Sequence, residues 1–425
     1  MLSTRGEAFA KANLAKGYLS LPKATFDKET KQGVVSFSNA ENFLMHDYIR
    51  IKALPARDNT SLTYHEGPFG SQRLRTAMAG LLNTYFSPAS PIESNHIVFA
   101  NGVTSLNTMC AQCLTDSDTE GILLGQPIYG SFAGDLTTVS GCQSIYTPFG
   151  GADQFSPPAV AHYEKAVLHA REKGITVRAL LICNPHNPLG RCYEKEALEA
   201  IFQFCQRYQI HLISDEVYAL STYGGHERQF VSALSIDLEP LGVDPALIHV
   251  LYGMSKDFAV AGLRLGCLIS RNERLLQAML SISRFHWSPQ ISCGIATTIL
   301  EDKGFVHGFL QESQRLLKEH QILATRALED AKIPYAKGCT AGFFLWIDLS
   351  RCLDDRSTTS EGGWAAEEEL SRRLSQIGVE MSSGRAYRNE TPGWYRILFS
   401  VDRESLKEGL SRIINFYHSE HERRA

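Results

Sequence analysis

The sequence lacks several features that would place it in a specialised class of protein. Its formal charge is only −4 and it has no long run of one sign, so a nucleic-acid-binding surface or a polybasic membrane patch is not expected. It has no uninterrupted apolar stretch of membrane-spanning length, and its first residues contain no apolar segment as long as a signal peptide needs. We therefore expect a cytoplasmic protein that acts on a small molecule, with neither nucleic acid nor membrane as partner.

A zinc-ligand pattern is also missing. The ten cysteines are scattered, mostly within apolar segments, where free thiols pack as small hydrophobic groups. Cys110 and Cys113 form a C-x-x-C pair, but no second pair follows at the spacing of a zinc site. We interpret these two as core residues of a helix, expect the thiols to be reduced, and predict no metal.

The chain does contain enough apolar material for a large domain and a smaller one, because 44% of its 425 residues are hydrophobic. Six short apolar segments are typical of buried strands: IVFANG, GILLGQP, ALLICNP, IHLISDE, IHVLYGMS and RLGCLIS. Segments with helical spacing lie between them: SLNTMCAQCL, YEKEALEAIFQFCQRYQ and NERLLQAMLSISRF. This alternation predicts an α/β fold with a mainly parallel sheet and helices on both faces.

The pattern changes after about residue 305. A long charged helix is followed by FFLWIDL, a helix near AAEEELSRRLSQIG, the strand WYRILFS and a last helix, while DDRSTTSEGG at 354–363 is predicted to be a surface loop. The N-terminal fifty or so residues have no strong period and are expected to pack against this part. We predict a large domain over 55–305 and a small α+β domain formed by 1–54 and 306–425.

Ligands of α/β sheets collect at the carboxyl ends of the strands, so the residues that follow each strand are candidates for function. Asn101-Gly102-Val103-Thr104 follows IVFA and leads into a helix, whose first N–H groups could receive a phosphate. Two Asn-Pro pairs and a glycine predict a rigid turn over 184–190, after LLIC. A plain connection remains an alternative for both turns.

Two further strand ends carry ionisable residues. IHLIS is followed by Asp215 and then Tyr218, although an acid in such a position is commonly just a helix cap. IHVLYGMS is followed by Lys256, which is unusual between apolar runs because an unpaired buried ammonium is unfavourable. Arg264 follows in the same segment. Each of these residues is ambiguous by itself, but in this order they match one chemistry.

In that order, the motifs resemble those of pyridoxal 5′-phosphate (PLP) enzymes of fold type I, and within them the 1-aminocyclopropane-1-carboxylate (ACC) synthase-like group and the class I and II aminotransferases. The resemblance covers nearly the whole chain and rests on SNAENFL, TYHEGPFGSQRLR, QPIYGSFAGDL, NPHNPLG, SDEVY, YGMSKDFAVAGLRLG, AGFFLWIDL and PGWYRILFS. The lysine segment with its downstream arginine is the most specific motif. The resemblance implies PLP as cofactor, a mainly parallel seven-stranded sheet with helices on both faces, and a smaller α+β domain.

By this resemblance, Lys256 would bind the cofactor as a Schiff base and then serve as general acid and base at the substrate's Cα. Both roles need a lowered lysine pKa, which burial near other cations provides. Asp215 would pair with the pyridine nitrogen and keep it protonated. Tyr218 and Asn187 would hydrogen-bond the cofactor's phenolic oxygen, and Tyr129 would stack on its ring.

The resemblance also implies a phosphate site. Val103 and Thr104 at a helix start and the guanidinium of Arg264 would hold the phosphate, and Ser255 would assist. Gly253 is a departure, because relatives usually place a phosphate-binding hydroxyl three residues before the lysine. Phosphate binding would then be weaker, or Ser255 or a partner subunit would compensate.

The remaining implied roles concern the substrate and the partner subunit. Arg396 would bind the substrate carboxylate through two hydrogen bonds, and Asn187 would also bind the substrate. Glu41 would favour a sulfonium or another cationic group of the substrate. Tyr64 would reach the active site of a neighbouring subunit, which implies a homodimer.

The shared step of the implied chemistry is loss of the Cα proton, and the substrate's side chain decides the rest. S-adenosylmethionine would close a cyclopropane, a cysteine conjugate would lose a thiol, and an ordinary amino acid would exchange its amino group with a 2-oxo acid. Glu41, Tyr64 and the overall pattern favour ACC synthase-type or carbon–sulfur lyase chemistry in a specialised biosynthetic role, with an aminotransferase as the main alternative. A non-catalytic binding protein of this fold is disfavoured, because it would need neither Lys256 nor Asp215 nor Arg396.

Overall fold

The structure is a computed structural model that describes residues 26, 29–38, 40–53, 63–64, 66–224, 230–353 and 360–422. Its strands are β1 (Val35–Ser36), β2 (Ile97–Ala100), β3 (Glu120–Gly125), β4 (Gln143–Thr147), β5 (Thr176–Cys183), β6 (His211–Asp215), β7 (Ile248–Gly253), β8 (Gly266–Ser270), β9 (Phe344–Asp348), β10 (Val379–Glu380), β11 (Ser382–Ser383) and β12 (Trp394–Leu398). Its α-helices are α1 (His46–Ala53), α2 (Gln72–Tyr85), α3 (Gly102–Leu114), α4 (Ser131–Ser140), α5 (Val160–Glu172), α6 (Lys195–Tyr208), α7 (Met254–Asp257), α8 (Glu273–Ile282), α9 (Gln290–Glu301), α10 (Lys303–Asp330), α11 (Ser360–Gln376) and α12 (Arg403–Glu422).

Seven strands form the central sheet in the order β2-β8-β7-β6-β5-β3-β4. All neighbouring pairs are parallel except those of β8, which runs antiparallel to β2 and β7. The mainly parallel seven-stranded sheet is therefore confirmed, and so are the six strands predicted from apolar runs. β4 had not been predicted, because it is a partly exposed edge strand of sequence QSIYT without a continuous apolar run.

Both faces of this sheet are covered by helices. In β5, Leu180 and Ile182 pack into one hydrophobic cluster, whereas Leu181 and Cys183 pack into another on the opposite face. Helices α2, α5, α6 and α9 contribute to the first cluster, and α3, α4 and α8 contribute to the second. This arrangement explains the continuous apolar runs, because a strand buried on both faces has no side that favours polar residues.

The C-terminal part builds a second, smaller layer of sheet and helix. β12 pairs antiparallel with β9 and β11, and the long α10 packs along α12. β1 pairs parallel with β10, so residues 35 and 36 lie beside the C-terminal part. Within the predicted loop at 354–363, residues 360–363 instead begin α11, and residues 354–359 lie outside the described residues.

All ten cysteines are free thiols. Cys110 and Cys113 lie in α3, where Cys110 is buried, and burial raises the pKa of both thiols above its ordinary value. They therefore behave as neutral, mostly apolar side chains, in agreement with the sequence interpretation. Within the described ranges, every helix is too short or too polar to span a lipid bilayer.

Candidate active site

A lysine lies just after β7 of the central sheet. Lys256 belongs to the short helix α7, and its Nζ donates a hydrogen bond to the backbone oxygen of Ala40 at 2.7 Å. Burial and the guanidinium of Arg396 lower the pKa of Lys256 to about 8, although the carboxylates of Glu41 and Asp215 act in the opposite direction. About a tenth of this amine is therefore neutral at pH 7, far more than for an ordinary lysine. Such an amine can attack a carbonyl or accept a proton.

The carboxylate of Asp215 ends the neighbouring strand β6. It is buried, and its Oδ1 accepts a hydrogen bond from the Val217 N–H at 3.2 Å. Burial raises the pKa of Asp215 to about 7, while the Val217 N–H and the charge of Lys256 lower it. A bound cation facing this carboxylate would keep it ionised. The structure thus brings Asp215 and Lys256 close enough for each charge to affect the other.

Arg396 is a buried cation in β12. Only 2% of the residue is exposed; its Nη1 donates to Asn187 Oδ1 at 3.2 Å, and its Nη2 donates to the backbone oxygen of Ser38. The guanidinium carbon lies 5.4 Å from the ring centre of Phe344 and 5.1 Å from that of Tyr387. Both rings therefore stabilise the cation through cation–π contacts. Nε has no acceptor among the described residues. An unpaired N–H on a buried guanidinium suits an anionic ligand such as a carboxylate.

Tyr218 lies in the turn after β6, near the same arginine. Its ring makes edge contacts with Phe343 and Phe344, with centroids 5.2 Å and 5.3 Å apart. Burial raises the pKa of Tyr218 well above its ordinary value, while the charge of Arg396 lowers it. The phenol is therefore a neutral hydrogen-bond donor. Asn187, in the turn after β5, is joined to this group through Arg396.

The N-terminus of α3 and Arg264 form a possible anion site. The helix begins at Gly102, and the side chain of the preceding Asn101 accepts no hydrogen bond from the first N–H groups of the helix. A Cβ at Gly102 would lie 2.5 Å from Arg264 Nη2, which places the guanidinium directly against the helix start. Val103 and Thr104 follow Gly102 in the first turn of this helix.

The absence of a side chain at position 253 has a steric cause that the sequence did not reveal. It pairs with Gly266 across β7 and β8, and a Cβ at Gly253 would lie 2.9 Å from the backbone oxygen of Leu265. A Cβ at Gly266 would lie 2.8 Å from the Val103 nitrogen. The two glycines therefore let the end of β7 and the beginning of β8 approach the start of α3. Ser255, which is partly exposed, stands next to the lysine.

Tyr129 is held by contacts between the segment after β3 and the segment before β12. The Ile128 N–H donates a hydrogen bond to the backbone oxygen of Tyr387 at 2.9 Å, and a Cβ at Gly130 would overlap the backbone oxygen of Ala386. This close approach fixes the backbone on both sides of Tyr129. The ring of Tyr129 also packs edge-on against Phe132, with centroids 5.3 Å apart.

Glu41 and Tyr64 lie in different surroundings. Glu41 follows Ala40 and is close enough to Lys256 to raise its pKa, and its backbone oxygen accepts a hydrogen bond from Ser400 Oγ. Tyr64 is 82% exposed, and its ring packs on Trp287 with centroids 5.5 Å apart. The structure therefore places Glu41 with the lysine group, whereas Tyr64 is an outward-facing aromatic residue.

Some residues at this site had no role in the sequence analysis. Tyr387 and Phe344 support Arg396, and the backbone oxygens of Ser38 and Ala40 accept hydrogen bonds from the two cations. Phe344 belongs to the motif AGFFLWIDL, which did indicate that the segment matters. Tyr387 and the two backbone oxygens carry no local signal, because their position depends on how distant segments meet.

The assembled groups fit a cofactor of the PLP type. A lysine with a lowered pKa can bind an aldehyde, the buried Asp215 carboxylate can pair with a protonated ring nitrogen, and the α3 start with Arg264 can hold a phosphate. Nε of Arg396, which has no acceptor among the described residues, is a donor that a substrate carboxylate could satisfy.

Comparisons with known proteins agree with the motifs. A profile of the family described as aminotransferase class I and II matches residues 40–413. The chain is 34% identical over 394 residues to the probable aminotransferase tcpI of Claviceps purpurea, across 89% of this chain and 88% of that protein. It is 30% identical over 425 residues to 1-aminocyclopropane-1-carboxylate synthase-like protein 1 of Takifugu rubripes, across 97% of this chain and 67% of that protein.

Solved structures share the fold. An aromatic aminotransferase from Pyrococcus horikoshii superimposes with a TM-score of 0.73 at 21% identity, across 91% of this chain and 96% of that chain. An aspartate aminotransferase from Thermus thermophilus with maleate gives a TM-score of 0.70 at 19% identity, across 98% and 97% of the two chains. At these identities, the likeness establishes the fold alone.

Proposed function

The chain belongs to the class I and II aminotransferase family of PLP-dependent enzymes, and on that premise we propose that it binds PLP, removes the Cα proton of an amino acid and then cleaves a carbon–sulfur bond in the substrate's side chain. The reaction would be of ACC synthase type or that of a carbon–sulfur lyase. The observation that carries the proposal is that Lys256, just after β7, lies close enough to Asp215 and to Arg396 for both charges to act on its amine.

The cofactor site would be formed by groups that follow five strands of the central sheet, β2, β3, β5, β6 and β7. PLP, when bound, supplies an electron sink for the electron pair left by Cα–H cleavage. Asp215 would hold the proton on the ring nitrogen, and the neutral phenol of Tyr218 would donate to the phenolic oxygen, with Asn187 beside it. Arg264, with Val103, Thr104 and Ser255, would hold the phosphate, and Tyr129 would lie against the ring.

Lys256 would move the proton at Cα. Its pKa of about 8 leaves a useful neutral fraction near physiological pH, and an amine with this pKa can also return the proton. The hydrogen bond from Nζ to the Ala40 oxygen leaves the lone pair of the neutral amine free to accept a proton. Arg396 would orient the substrate by binding its carboxylate through Nε and a second N–H.

Glu41 supports the preference for a carbon–sulfur bond. A carboxylate that affects the charge of Lys256 would also attract a positively charged group on the substrate side of the lysine. A sulfonium carries such a charge next to the carbon–sulfur bond that would break. The match to an ACC synthase-like protein over 97% of the chain points to the same class of substrate.

Transamination is the second candidate function. It is favoured by the relative named probable aminotransferase, which is 34% identical over 89% of this chain. In that reaction Lys256 would carry the proton taken from Cα to the bound cofactor, and a 2-oxo acid would later accept the amino group. Lys256, Asp215 and Arg396 serve both outcomes equally, so only the reaction products separate them.

We further propose that the protein is a homodimer in which Tyr64 reaches the neighbouring active site. The proposal is supported by the 82% exposure of this aromatic ring, which is unusual unless another surface covers it. We also propose two domains: a large one over 55–305, and a small one formed by 1–54 and 306–425. The pairing of β1 with β10 supports the assignment of the N-terminal segment to the smaller domain.

The test has two stages. Purified protein incubated with PLP should become yellow, borohydride should abolish the visible absorption band, and the variant Lys256→Ala should not develop it. The holoenzyme should then be offered S-adenosylmethionine, S-alkyl cysteines, and common amino acids with 2-oxoglutarate. Release of methylthioadenosine or of a thiol supports the first candidate, and a new amino acid formed from 2-oxoglutarate supports the second. A wild-type protein that stays colourless with PLP would refute both.

A further inference from the structure

A fully buried carboxylate directly follows the candidate lysine. Asp257 is 1% exposed, and its Oδ2 accepts hydrogen bonds from the Leu220 N–H at 2.9 Å and from the Tyr252 hydroxyl at 3.1 Å. Its Oδ1 accepts a hydrogen bond from Ser221 Oγ at 2.6 Å. All three partners are donors, so an ionised carboxylate satisfies them together. Burial raises the pKa of Asp257 to about 7, and the hydrogen bonds from these donors act against that rise.

The three donors come from the ends of two neighbouring strands. Leu220 and Ser221 belong to the turn after β6, which carries Tyr218. The Ser221 N–H donates a hydrogen bond to the backbone oxygen of Tyr218 at 3.0 Å. Tyr252 lies in β7, immediately before the lysine helix α7. The carboxylate of Asp257 therefore joins the chain segment that delivers Lys256 to the segment that delivers Asp215 and Tyr218.

The same turn also meets the C-terminal part of the chain. The backbone oxygen of Ser221 accepts a hydrogen bond from the Gly342 N–H at 2.9 Å, and Thr222 forms a β-bridge with Ala341. The residues that follow, Phe343 and Phe344, make the edge contacts with Tyr218. Any shift of this turn would therefore move the ring contacts of Tyr218 as well as the anchor of the lysine helix.

We propose that Asp257 is a positioning residue that holds the amine of Lys256 in place relative to Asp215 and Tyr218. This inference rests on the proposed function, because it concerns the same site. The physical reason is that α7 has only four residues and cannot hold its own orientation, so the lysine depends on the anchor next to it. A displacement of about 1 Å at a reacting group can slow a reaction about 100-fold.

Glu216 provides a matched control. It directly follows Asp215, is fully buried, and accepts hydrogen bonds from Ser214 Oγ at 2.9 Å, Ser232 Oγ at 2.6 Å and the Ala233 N–H at 2.8 Å. It thus resembles Asp257 in burial and in its three donors. Its donors, however, connect β6 to the segment at 232–233 and not to the lysine helix.

The experiment compares Asp257→Asn with Glu216→Gln in the full-length protein. One measurement is the rate at which the apoenzyme captures PLP, followed by growth of the visible absorption band. The other is the rate of exchange of a substrate's Cα hydrogen for deuterium, with kcat and KM determined separately. We expect Asp257→Asn to slow both rates about 10- to 100-fold with KM changed by less than about twofold, because the contacts of Arg396 are intact. We expect Glu216→Gln to lower Tm but to leave both rates within about twofold of the wild type.

Each result has a defined meaning. Equal slowing in both variants, or wild-type rates in Asp257→Asn, would overturn the positioning role. If Asp257→Asn does not fold, Ser221→Ala and Tyr252→Phe each remove one donor and decide instead: slower exchange with unchanged KM in either supports the role, and wild-type rates in both overturn it. A wild-type protein that fails to capture PLP refutes the proposed function itself, which keeps the two failures distinct.

Discussion

Replacement of Arg396 by lysine tests how a substrate carboxylate is recognised. The guanidinium already donates to Asn187 Oδ1 and to the Ser38 oxygen, and Nε lacks an acceptor among the described residues. Nε and a second N–H of a terminal nitrogen can therefore bind both oxygens of a carboxylate. A lysine ammonium keeps the charge but cannot present two parallel donors at this spacing.

The expected magnitude follows from the loss of one of two charged hydrogen bonds. A hydrogen bond to a charged group contributes about 1.5–3 kcal/mol, and about 1.4 kcal/mol corresponds to a factor of ten. We therefore expect Arg396→Lys to lower kcat/KM for an amino acid about 10- to 150-fold. The rings of Phe344 and Tyr387 would still contact a cation at this position, so the variant is expected to fold.

The assay compares an amino acid with the corresponding amine that lacks the carboxylate. Binding and reaction of both compounds can be followed in the wild type and in Arg396→Lys through the visible absorption of the bound cofactor. The variant should lose about 10- to 150-fold with the amino acid and less than about threefold with the amine. Equal losses with the two compounds would refute the reasoning, because Arg396 would then act only through the packing of the protein.

Three further predictions follow from particular contacts. Glu41→Gln should weaken a sulfonium substrate about tenfold in kcat/KM while leaving neutral substrates unchanged, and equal loss with both would contradict the role of its charge. Burial, and to a lesser extent His211, lower the pKa of His249 to about 3. His249 is therefore neutral in the folded protein at pH values where the unfolded chain, below about pH 6.5, binds a proton. Stability measured by urea unfolding should therefore fall by about 1.4 kcal/mol for each pH unit between about pH 6.5 and about pH 3 on account of this group, and His249→Gln should reduce that dependence. Gly130→Ala should destabilise the protein by about 1–3 kcal/mol in the same assay, because its Cβ would overlap the Ala386 oxygen, whereas a wild-type unfolding midpoint would contradict the observed contact.

Much of the fold could be predicted because its signals are local. The continuous apolar runs of β5, β6 and β7 reflect burial on both faces of the sheet, and the long α10 has a clear helical period. β4 was missed because an edge strand exposed to solvent keeps polar residues. The start of α11 was missed because Gly362 and Gly363 resemble loop residues, although packing of the rest of the helix outweighs their low helix propensity.

The candidate site was predictable to the same extent. Asp215 and Lys256 lie at the ends of the neighbouring parallel strands β6 and β7, and Arg264 precedes the antiparallel β8, so the strand order brings the three to one edge of the sheet. Arg396 was identified only through the resemblance of its motif. The sequence contained no sign that its guanidinium would lie against Tyr387.

By itself, therefore, the sequence determined most of the buried strands and long helices and which ionisable residues stand at their ends, because hydrophobic period and residue type act over a few neighbouring positions. Only the tertiary structure decided that the oxygens of Ser38 and Ala40 meet the two cations, that Gly253 must lack a side chain, and that Asp257 joins two strand ends. These features arise from contacts between residues far apart in the chain. Their energies depend on burial and exact distance, which no local pattern records.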